Sequence, residues 1–221
     1  MSVNYNGAFA SSQFQRKIRE LEQDVLRMGI LVGNSCRLSH EALFEQNLAA
    51  IDQIIKLDEN IDQFYRQIDS QSVQLMSITS PVAQDLRLLS AFIQIVRDLE
   101  RIGDYAEDLS KIAGKLFRYP AHECMPKIKE MSEKTQSMLD QSLTAIINLD
   151  GQAYQKLDLL DDEVDQAYAE VYRMLSSPPN FQGSLEPVIL LILSSRHLER
   201  MADHANNVAR RIRYVVTSER N

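Results

Sequence analysis

The segment Arg97-Asp-Leu-Glu-Arg-Ile-Gly-Asp-Tyr-Ala106 occurs a second time as Arg196-His-Leu-Glu-Arg-Met-Ala-Asp-His-Ala205, with identical residues at six of the ten positions. A second pair of matching segments lies upstream, Asp58-Glu-Asn-Ile-Asp62 and Asp161-Asp-Glu-Val-Asp165. The two pairs occur in the same order in each half of the chain. This repetition indicates that one supersecondary unit was duplicated.

Helical periodicity surrounds both copies. Apolar residues recur at steps of three and four along three segments in each half, as in amphipathic helices. The six apolar rows run from Phe14 to Cys36, Leu48 to Ile68, Leu86 to Ala113, Ile128 to Leu149, Leu157 to Leu175 and Leu198 to Val215. Residues 117–126, which contain two prolines, interrupt the pattern and are predicted to be a linker. We therefore expect an all-α protein of two tandem three-helix bundles, residues 1–116 and 127–221.

Polar residues mark several predicted helix ends. Residues 11–12, both serine, are candidate N-caps of the first helix, and Ser184 is a candidate N-cap of the sixth. At the start of the third helix, Ser80 is a candidate N-cap and Pro81 suits the first helical position. Residues 176–183 are predicted to form a turn, because they contain two prolines and a glycine.

Composition and charge exclude several classes of protein. A net charge of −7 and a pI near 5.2 argue against a general nucleic-acid-binding protein. The first residues lack the basic and apolar regions of a secretory signal, and the longest apolar run, residues 188–193, is far too short to span a bilayer. Cys36 and Cys124 have no paired spacing, which is typical of a reducing compartment. We expect a cytoplasmic protein whose membrane contact is peripheral.

Acidic residues are paired four residues apart in both copies of the unit. The pairs are Asp58/Asp62, Glu100/Asp104, Asp161/Asp165 and Glu199/Asp203. Side chains four apart are neighbours on a helix, and like charges there repel. Each pair flanks an apolar row, so adjacent helices of one bundle are expected to present four carboxylates to a common region. Asp108 and Asn207 extend the rows on the third and sixth helices by one further turn.

Two interpretations of these pairs remain open. Clusters of oxygen ligands suit hard or borderline cations such as Mg²⁺, Mn²⁺ or iron, and helix bundles hold metal sites built from acids on facing helices. Alternatively, the acids form a solvated face whose charge is balanced by Arg101 and Arg200.

Catalytic signatures are absent from the sequence. None of the four histidines (His40, His122, His197 and His204) follows a glutamate by three residues, as a ferritin-like di-iron site requires. Cys36 and His40 are four apart, but no neighbouring acid would orient the histidine, so we interpret Cys36 as a core thiol. The common phosphate-loop, serine-hydrolase and zinc-protease motifs do not occur. We expect that the protein is not an enzyme.

A basic run, Arg210-Arg211-Ile-Arg213, lies in the last turns of the sixth predicted helix. Cations at this end of a helix complement the helix dipole. A docking patch for an acidic partner or a lipid headgroup is the alternative interpretation.

Three motifs resemble the PhoU family, the phosphate-signalling regulators of bacteria. They are Pro81-Val-Ala-Gln-Asp-Leu-Arg87 and the two copies of the repeat, 97–104 and 196–205. The similarity extends over roughly residues 12–216. The resemblance implies two three-helix bundles side by side, related by pseudo-two-fold symmetry.

The resemblance also implies multinuclear iron or zinc clusters bound by Glu/Asp-x-x-x-Asp motifs. Carried over by position, the ligands would be Asp58, Asp62, Glu100, Asp104 and Asp108 in the first half and Asp161, Asp165, Glu199, Asp203 and Asn207 in the second. The histidine common in the family is present as His204 in the second half, whereas the first half has Tyr105 at that position.

The function that the resemblance to the PhoU family implies is inhibitory signalling. Members link the high-affinity phosphate ABC transporter to a sensor histidine kinase, in the cytoplasm and often as dimers. The resemblance therefore implies a non-catalytic adaptor whose partners are the transporter's ATPase subunit, the kinase and a second copy of the chain. A metal-storage or metal-dependent hydrolytic protein and a plain helical scaffold are the alternatives.

Overall fold

The computed structural model describes residues 5–78, 83–176 and 184–219, and these stretches form six helices. In chain order the helices are α1 (Tyr5–Phe44), α2 (Ala49–Ile78), α3 (Ala83–Leu116), α4 (Met125–Asn148), α5 (Ala153–Ser176) and α6 (Glu186–Thr217). No strand occurs in these three stretches. The all-α class predicted from the sequence is confirmed.

The six helices are arranged as two three-helix bundles. Helices α1, α2 and α3 pack against one another, as do α4, α5 and α6. Between the bundles, the described residues bring together only equivalent helices of the two repeats, α3 with α6 and, less extensively, α1 with α4. Contacts between equivalent elements are what a two-fold axis produces, so this packing agrees with the expected pseudo-two-fold arrangement. None of the helices, as far as they are described, carries an apolar window long enough to cross a bilayer.

The predicted apolar rows form the core. Leu99, Ile102 and Ala106 on α3 are fully buried. Glu100 and Asp104 lie about 100° around the helix from this row and are half-buried at its edge. Every acidic pair of the sequence analysis is therefore carried by a helix whose neighbouring face is anchored in the core.

Polar and aromatic side chains cross the interface between α3 and α6. Nδ1 of His204 lies 2.9 Å from Oδ1 of Asp98, and both side chains are largely buried. Because an ionised carboxylate only accepts hydrogen bonds, Nδ1 of His204 carries the hydrogen. The ring centroid of Tyr105 lies 5.3 Å from that of His197 and 6.0 Å from that of His204. The bundles are thus joined by specific polar and ring contacts as well as by apolar packing.

Two predicted helix starts are wrong. Helix α1 begins at Tyr5, so residues 11–12 lie inside the helix and not at its N-cap. The N-cap of α6 is Leu185, and Ser184 lies one residue before it. The Ser184 hydroxyl still accepts a hydrogen bond from the backbone N–H of Glu186, at 3.2 Å. A serine can therefore satisfy a free N–H at a helix start without being the cap residue itself.

The connections between helices differ in detail from those predicted. Helix α4 begins at Met125 with Pro126 in its first turn, so the last two residues of the predicted 117–126 linker are helical. Proline is tolerated there because the first N–H groups of a helix have no intrahelical acceptor. The predicted helix start at Ser80 and Pro81 lies outside the described residues, as does the turn at 177–183. The division of the chain into domains 1–116 and 127–221 stays a prediction.

Candidate functional site

The first bundle gathers acidic residues between α2 and α3. A Cβ added at Gly103 of α3 would lie 3.9 Å from Oδ1 of Asp58, so the Asp58 carboxylate lies against α3. Glu107 and Asp104 of α3 and Asp62 of α2 are the carboxylates that act most strongly on Asp58, and Glu100 is close to the same group. We call Asp58, Asp62, Glu100, Asp104 and Glu107 the first acidic cluster.

Burial and mutual repulsion both disfavour ionisation in the first acidic cluster. Burial, reinforced by the neighbouring carboxylates, raises the pKa of Asp58 to about 6. Burial is also the main cause that raises the pKa of Glu100 and of Asp104, and carboxylates on α2 add to it in both cases. Carboxylates of adjacent helices therefore lie within interaction distance of one another.

The second bundle gathers an equivalent group between α5 and α6. We call Asp158, Asp161, Asp165, Glu199 and Asp203 the second acidic cluster. Burial raises the pKa of Asp161 to about 6, with Asp203, Asp165 and Asp158 adding to the effect. Burial likewise raises the pKa of Asp165 and of Glu199. Glu199 is buried, and its Oε2 has no hydrogen-bond partner among the described residues.

Three residues at the clusters were not among the candidate ligands predicted from the sequence: Asp158, and the pair Glu107 and Asn206, which occupy equivalent positions in the two repeats. Nδ2 of Asn206 donates hydrogen bonds to Oδ2 of Asp161 at 2.9 Å and to Oδ1 of Asp158 at 3.1 Å. Glu107 is the carboxylate whose charge acts most strongly on Asp58. The sequence feature that could have identified Glu107 is its i, i+3 spacing from Asp104, because residues three apart lie on the same side of a helix, as residues four apart do.

Asp108 and Asn207 lie one turn beyond Asp104 and Asp203, and the charge of Asp108 adds to the rise in the pKa of Asp104. The Asp108 carboxylate lies 3.6 Å from Nζ of Lys111, and its side chain is about half exposed. Burial lowers the pKa of His197 on α6, and the nearby Asp108 opposes this shift. Asn207 forms no side-chain hydrogen bond within the described part of the chain.

Arginines balance part of the charge in both clusters. Nη1 of Arg101 lies 2.9 Å from Oδ2 of Asp104, and Nη1 of Arg200 lies 2.8 Å from Oδ2 of Asp203. These are the two arginines that the sequence analysis named as counter-ions of a solvated acidic face. Both interpretations of the acid pairs therefore have contacts that support them.

The donor atoms of the clusters fit a hard or borderline cation in their chemistry. They are carboxylate oxygens on two neighbouring helices, most of them partly buried, and they repel one another. One of them, Oε2 of Glu199, is buried without a partner among the described residues. As they stand, no three His, Cys, Asp or Glu side chains of the described stretches converge closely enough to hold a metal ion. Rotation of the carboxylates would have to complete any metal site.

The Cys36 and His40 pair does not form a nucleophilic site. Cys36 is buried, and burial raises the pKa of its thiol to about 12, so the thiol stays protonated at neutral pH. Nδ1 of His40 lies 2.9 Å from Oγ of Ser132 on α4. The interpretation of Cys36 as a core thiol is confirmed.

Comparison with known proteins matches both bundles. The PhoU domain family model matches residues 25–113 and 128–212. A phosphate-specific transport system accessory protein PhoU homolog from Synechocystis sp. is 50% identical over 209 residues, which cover 95% of this chain and 93% of the relative.

Two solved structures share the fold over nearly the whole chain. The crystal structure of PhoU from Pseudomonas aeruginosa superposes with a TM-score of 0.86 at 27% identity, covering 93% of this chain and 100% of that chain. The phosphate transport system regulatory protein PhoU from Streptococcus pneumoniae gives a TM-score of 0.85 at 26% identity, covering 93% of this chain and 98% of that chain. Since one family model matches each half and both bundles have the same counterparts, the chain belongs to the PhoU family.

Proposed function

We propose that this chain is a non-catalytic regulator of phosphate uptake and phosphate-starvation signalling. The observation that carries the proposal is the similarity to proteins named as phosphate-specific transport accessory proteins, which extends over both bundles. A fragment that shared one bundle would support only a common fold. Similarity over nearly the full length of both chains supports a common role.

In this proposal the chain links the ATPase subunit of a phosphate ABC transporter to the cytoplasmic region of a sensor histidine kinase. It acts in the cytoplasm as a homodimer and reaches the membrane only through its partners. Two bundles of one design offer two similar surfaces, which suits a protein that bridges two partners. The net charge of −7 favours basic docking surfaces on those partners.

Co-purification tests the two partners separately. We expect the tagged full-length chain to retain the transporter's ATPase subunit and, in a second experiment, the kinase's cytoplasmic region. Light scattering on the same preparation measures whether the chain is a dimer. Retention of neither protein, together with unchanged expression of phosphate-starvation genes in a strain that lacks this chain, would reject the proposed function.

We further propose that each acidic cluster holds a multinuclear metal cluster of iron or zinc, with Mg²⁺ or Mn²⁺ as the other candidates. Asp58, Asp62, Glu100 and Asp104 would supply the ligands in the first bundle, and Asp161, Asp165, Glu199 and Asp203 would supply them in the second. Asp108 and Asn207 would be the further ligands one turn along, and Glu107 is an additional candidate for the first site, because its charge acts most strongly on Asp58. Bound cations would neutralise the repulsion that raises these pKa values.

Metal analysis of protein purified without chelators tests this second proposal. We expect Asp62→Asn and Asp165→Asn each to remove about half of the bound metal, because each substitution affects one cluster. Glu107→Gln should lower the metal content more than Asp108→Asn. Glu59→Gln on the exposed side of α2 is the matched control. Equal metal content in all five proteins would contradict the proposal.

A metal-storage or metal-dependent hydrolytic role is the alternative function, and the four acid pairs, in which every residue except Asp165 is at least partly buried, are the observation that favours it. Metal-loaded protein that turns over a phosphate ester or O₂, with the turnover lost in Glu100→Ala, would favour this alternative. Partner binding without turnover would favour the regulator.

A further inference from the structure

A polar cavity of about 410 Å³ lies between α3 and α6, and none of the carboxylates of the two acidic clusters lines it. The ionisable residues that line it include Arg97, Asp98, Arg101, Arg200, His204 and Arg211. A water molecule occupies roughly 30 Å³ in the liquid, so the cavity can hold a small oxyanion together with several waters. Four guanidinium groups around one cavity contrast with the net charge of −7 of the chain.

Two of the four arginines have no counter-ion among the described residues. Arg101 and Arg200 are each bound to an aspartate of their own helix, at 2.9 and 2.8 Å. Within the described stretches, Arg97 and Arg211 form no ion pair, and Nε of Arg211 is buried without a hydrogen-bond partner. A guanidinium group does not lose its proton in a protein, so only an anion can balance this charge.

The second copy of Arg97 is already paired. Nη1 of Arg196 lies 2.6 Å from Oε1 of Glu199, and its guanidinium lies over the ring of Tyr168, 5.7 Å from the centroid. In the first repeat the equivalent glutamate, Glu100, lies 3.4 Å from Nε of Arg101 instead. Arg97 is therefore left to line the cavity, whereas Arg196 has a partner within its own bundle.

The cavity is built from residues that the repeat does not duplicate. Ile112 occupies the position of the first repeat that corresponds to Arg211 in the second. Leu193 of the second repeat corresponds to Gln94, which lines the cavity. The set of positions equivalent to this cavity under the repeat would therefore lack the Arg211 charge and the Gln94 amide, and it would have His197 in place of Asp98. We expect one site per chain.

Asp98 places an acceptor among these donors. Its Oδ1 accepts a hydrogen bond from His204, while its Oδ2 is buried and has no partner within the described residues. A carboxylate repels an anion that has no hydrogen to donate. It accepts a hydrogen bond from an oxyanion that carries one.

We propose that this cavity binds inorganic phosphate, with the arginines holding its oxygens and Asp98 accepting the hydrogen that phosphate retains at neutral pH. Arginine forks match phosphate oxygens in geometry and charge. Sulfate resembles hydrogen phosphate in shape and charge but carries no hydrogen, so Asp98 selects against it. Phosphate monoesters in their dianionic form are disfavoured for the same reason. The site goes beyond the proposed regulatory function and does not depend on it.

Equilibrium dialysis of the full chain with radiolabelled phosphate tests the proposal. The measurement is made at low ionic strength, where surface charge is least screened, and with a chelator, so that phosphate does not bind through cations held by the acidic clusters. We expect one phosphate per chain. The concentration of unlabelled sulfate that displaces the label should be at least roughly 100-fold higher than that of unlabelled phosphate, because the site requires a hydrogen-bond donor from its ligand.

Four variants assign the binding to the cavity. Arg97→Gln and Arg211→Gln should each weaken phosphate binding about tenfold or more, because a charge-assisted hydrogen bond is lost. Arg196→Gln, the repeat equivalent of Arg97, should leave it unchanged. Asp98→Asn keeps an acceptor for His204 and replaces the repelling oxygen with a donor, so sulfate should then compete nearly as well as phosphate. Because Arg97 is exposed, we expect Arg97→Gln to fold, and it tests the site even if Arg211→Gln does not fold.

The proposal is overturned if no phosphate binds, if wild-type protein binds sulfate as well as phosphate, or if Arg196→Gln weakens binding as much as Arg97→Gln. The phosphate-binding results do not depend on whether the chain retains the ATPase subunit or the kinase in the co-purification experiment. Phosphate binding without partner binding would reject the regulatory function alone, and the reverse would reject this site alone.

Discussion

Asp58 and Asp161 lie on equivalent helices, α2 and α5, and burial raises the pKa of each to about 6. A carboxyl group with an ordinary pKa in the unfolded chain and a raised pKa in the folded chain binds more protons when folded. Stability from this source is therefore fully present at low pH, and it is lost as the pH rises from about 4 to about 6. At neutral pH the ionised carboxylates destabilise the fold unless a cation is bound.

Replacing Asp58 with asparagine removes this cost at neutral pH. In the presence of a chelator we expect Asp58→Asn to raise Tm at pH 7.5 by about 2 °C, a value that allows for solvent screening of this partly exposed group. The gain should shrink at pH 4.5, where the wild-type carboxyl is protonated in the fold. Thermal melts at both pH values measure the difference, with Glu59→Gln as control. A gain of the same size at both pH values would contradict the assigned cause.

His204 is the second residue whose role follows from its contacts. Its Nδ1 is the only described hydrogen-bond partner of the Asp98 side chain, which is buried. We expect His204→Ala to cost about 2 kcal/mol, because the Asp98 carboxylate then stays buried without a donor. His197→Ala removes ring packing against Tyr105 and should cost less. Urea denaturation of both variants measures the costs, and equal values would show that the hydrogen bond contributes little.

Two glycines of α1, Gly29 and Gly33, differ in the space available for a side chain. An added Cβ at Gly29 would clash with Cδ2 of Leu143 on α4, whereas an added Cβ at Gly33 would meet nothing within 4 Å. Gly29 therefore lies where α1 and α4 approach across the two bundles. Gly33 lies in the same helix with open space beside it.

This contrast predicts opposite effects of two substitutions in α1. Gly33→Ala should stabilise the protein by about 0.5–1 kcal/mol, because alanine loses less backbone entropy than glycine in a helix. Gly29→Val should destabilise it by about 1–3 kcal/mol, because the branched side chain overpacks against Leu143. Urea denaturation of both variants measures the two changes. A stabilising Gly29→Val would show that Leu143 moves aside without cost.

The crossing of α3 over α2 decided which acids form the first acidic cluster. Helical spacing places both Asp108 and Glu107 on roughly the same side of α3 as Asp104. The charge of Glu107 acts most strongly on Asp58, whereas the charge of Asp108 acts on Asp104 and on His197. Periodicity within one helix defines its faces, but only the angle between two helices selects which of two neighbouring residues meets the partner.

In the whole molecule, the two bundles meet through α3 with α6 and α1 with α4. Each half alone would expose the sides of these helices that are now covered, including the Asp98–His204 contact. An interface that combines apolar packing with specific polar contacts can drive association of separate chains as well as folding of one chain.

We therefore expect the two halves to assemble when they are produced as separate chains. Residues 1–120 and 121–221, cut within the connection between α3 and α4, should co-purify as a one-to-one complex with helical content close to that of the intact chain. Size-exclusion chromatography and circular dichroism measure this. His204→Ala in the second half should weaken the complex. Two halves that fold cooperatively and stay apart would show that each bundle is an independent domain.

The helix content, the pairing of the halves and the four acid pairs were predictable from the sequence. Each depends on residues within a few positions of one another or on the repeated motif, and local periodicity expresses both. The helix starts were predicted less well. Helix α1 extends upstream to Tyr5. The sequence did not show this, because a serine inside a long helix and a serine at its N-cap look the same in the sequence.

The acidic clusters and the arginine cavity required the folded chain. Glu107 and Asn206 gained their place from the way α3 and α6 cross α2 and α5, and Arg97, Asp98 and Arg211 meet only because α3 packs on α6. Residues so far apart in the chain share no local sequence pattern, so their proximity could not be predicted from the sequence. Sequence determined which face of each helix is apolar, and helix packing determined which charged residues became neighbours.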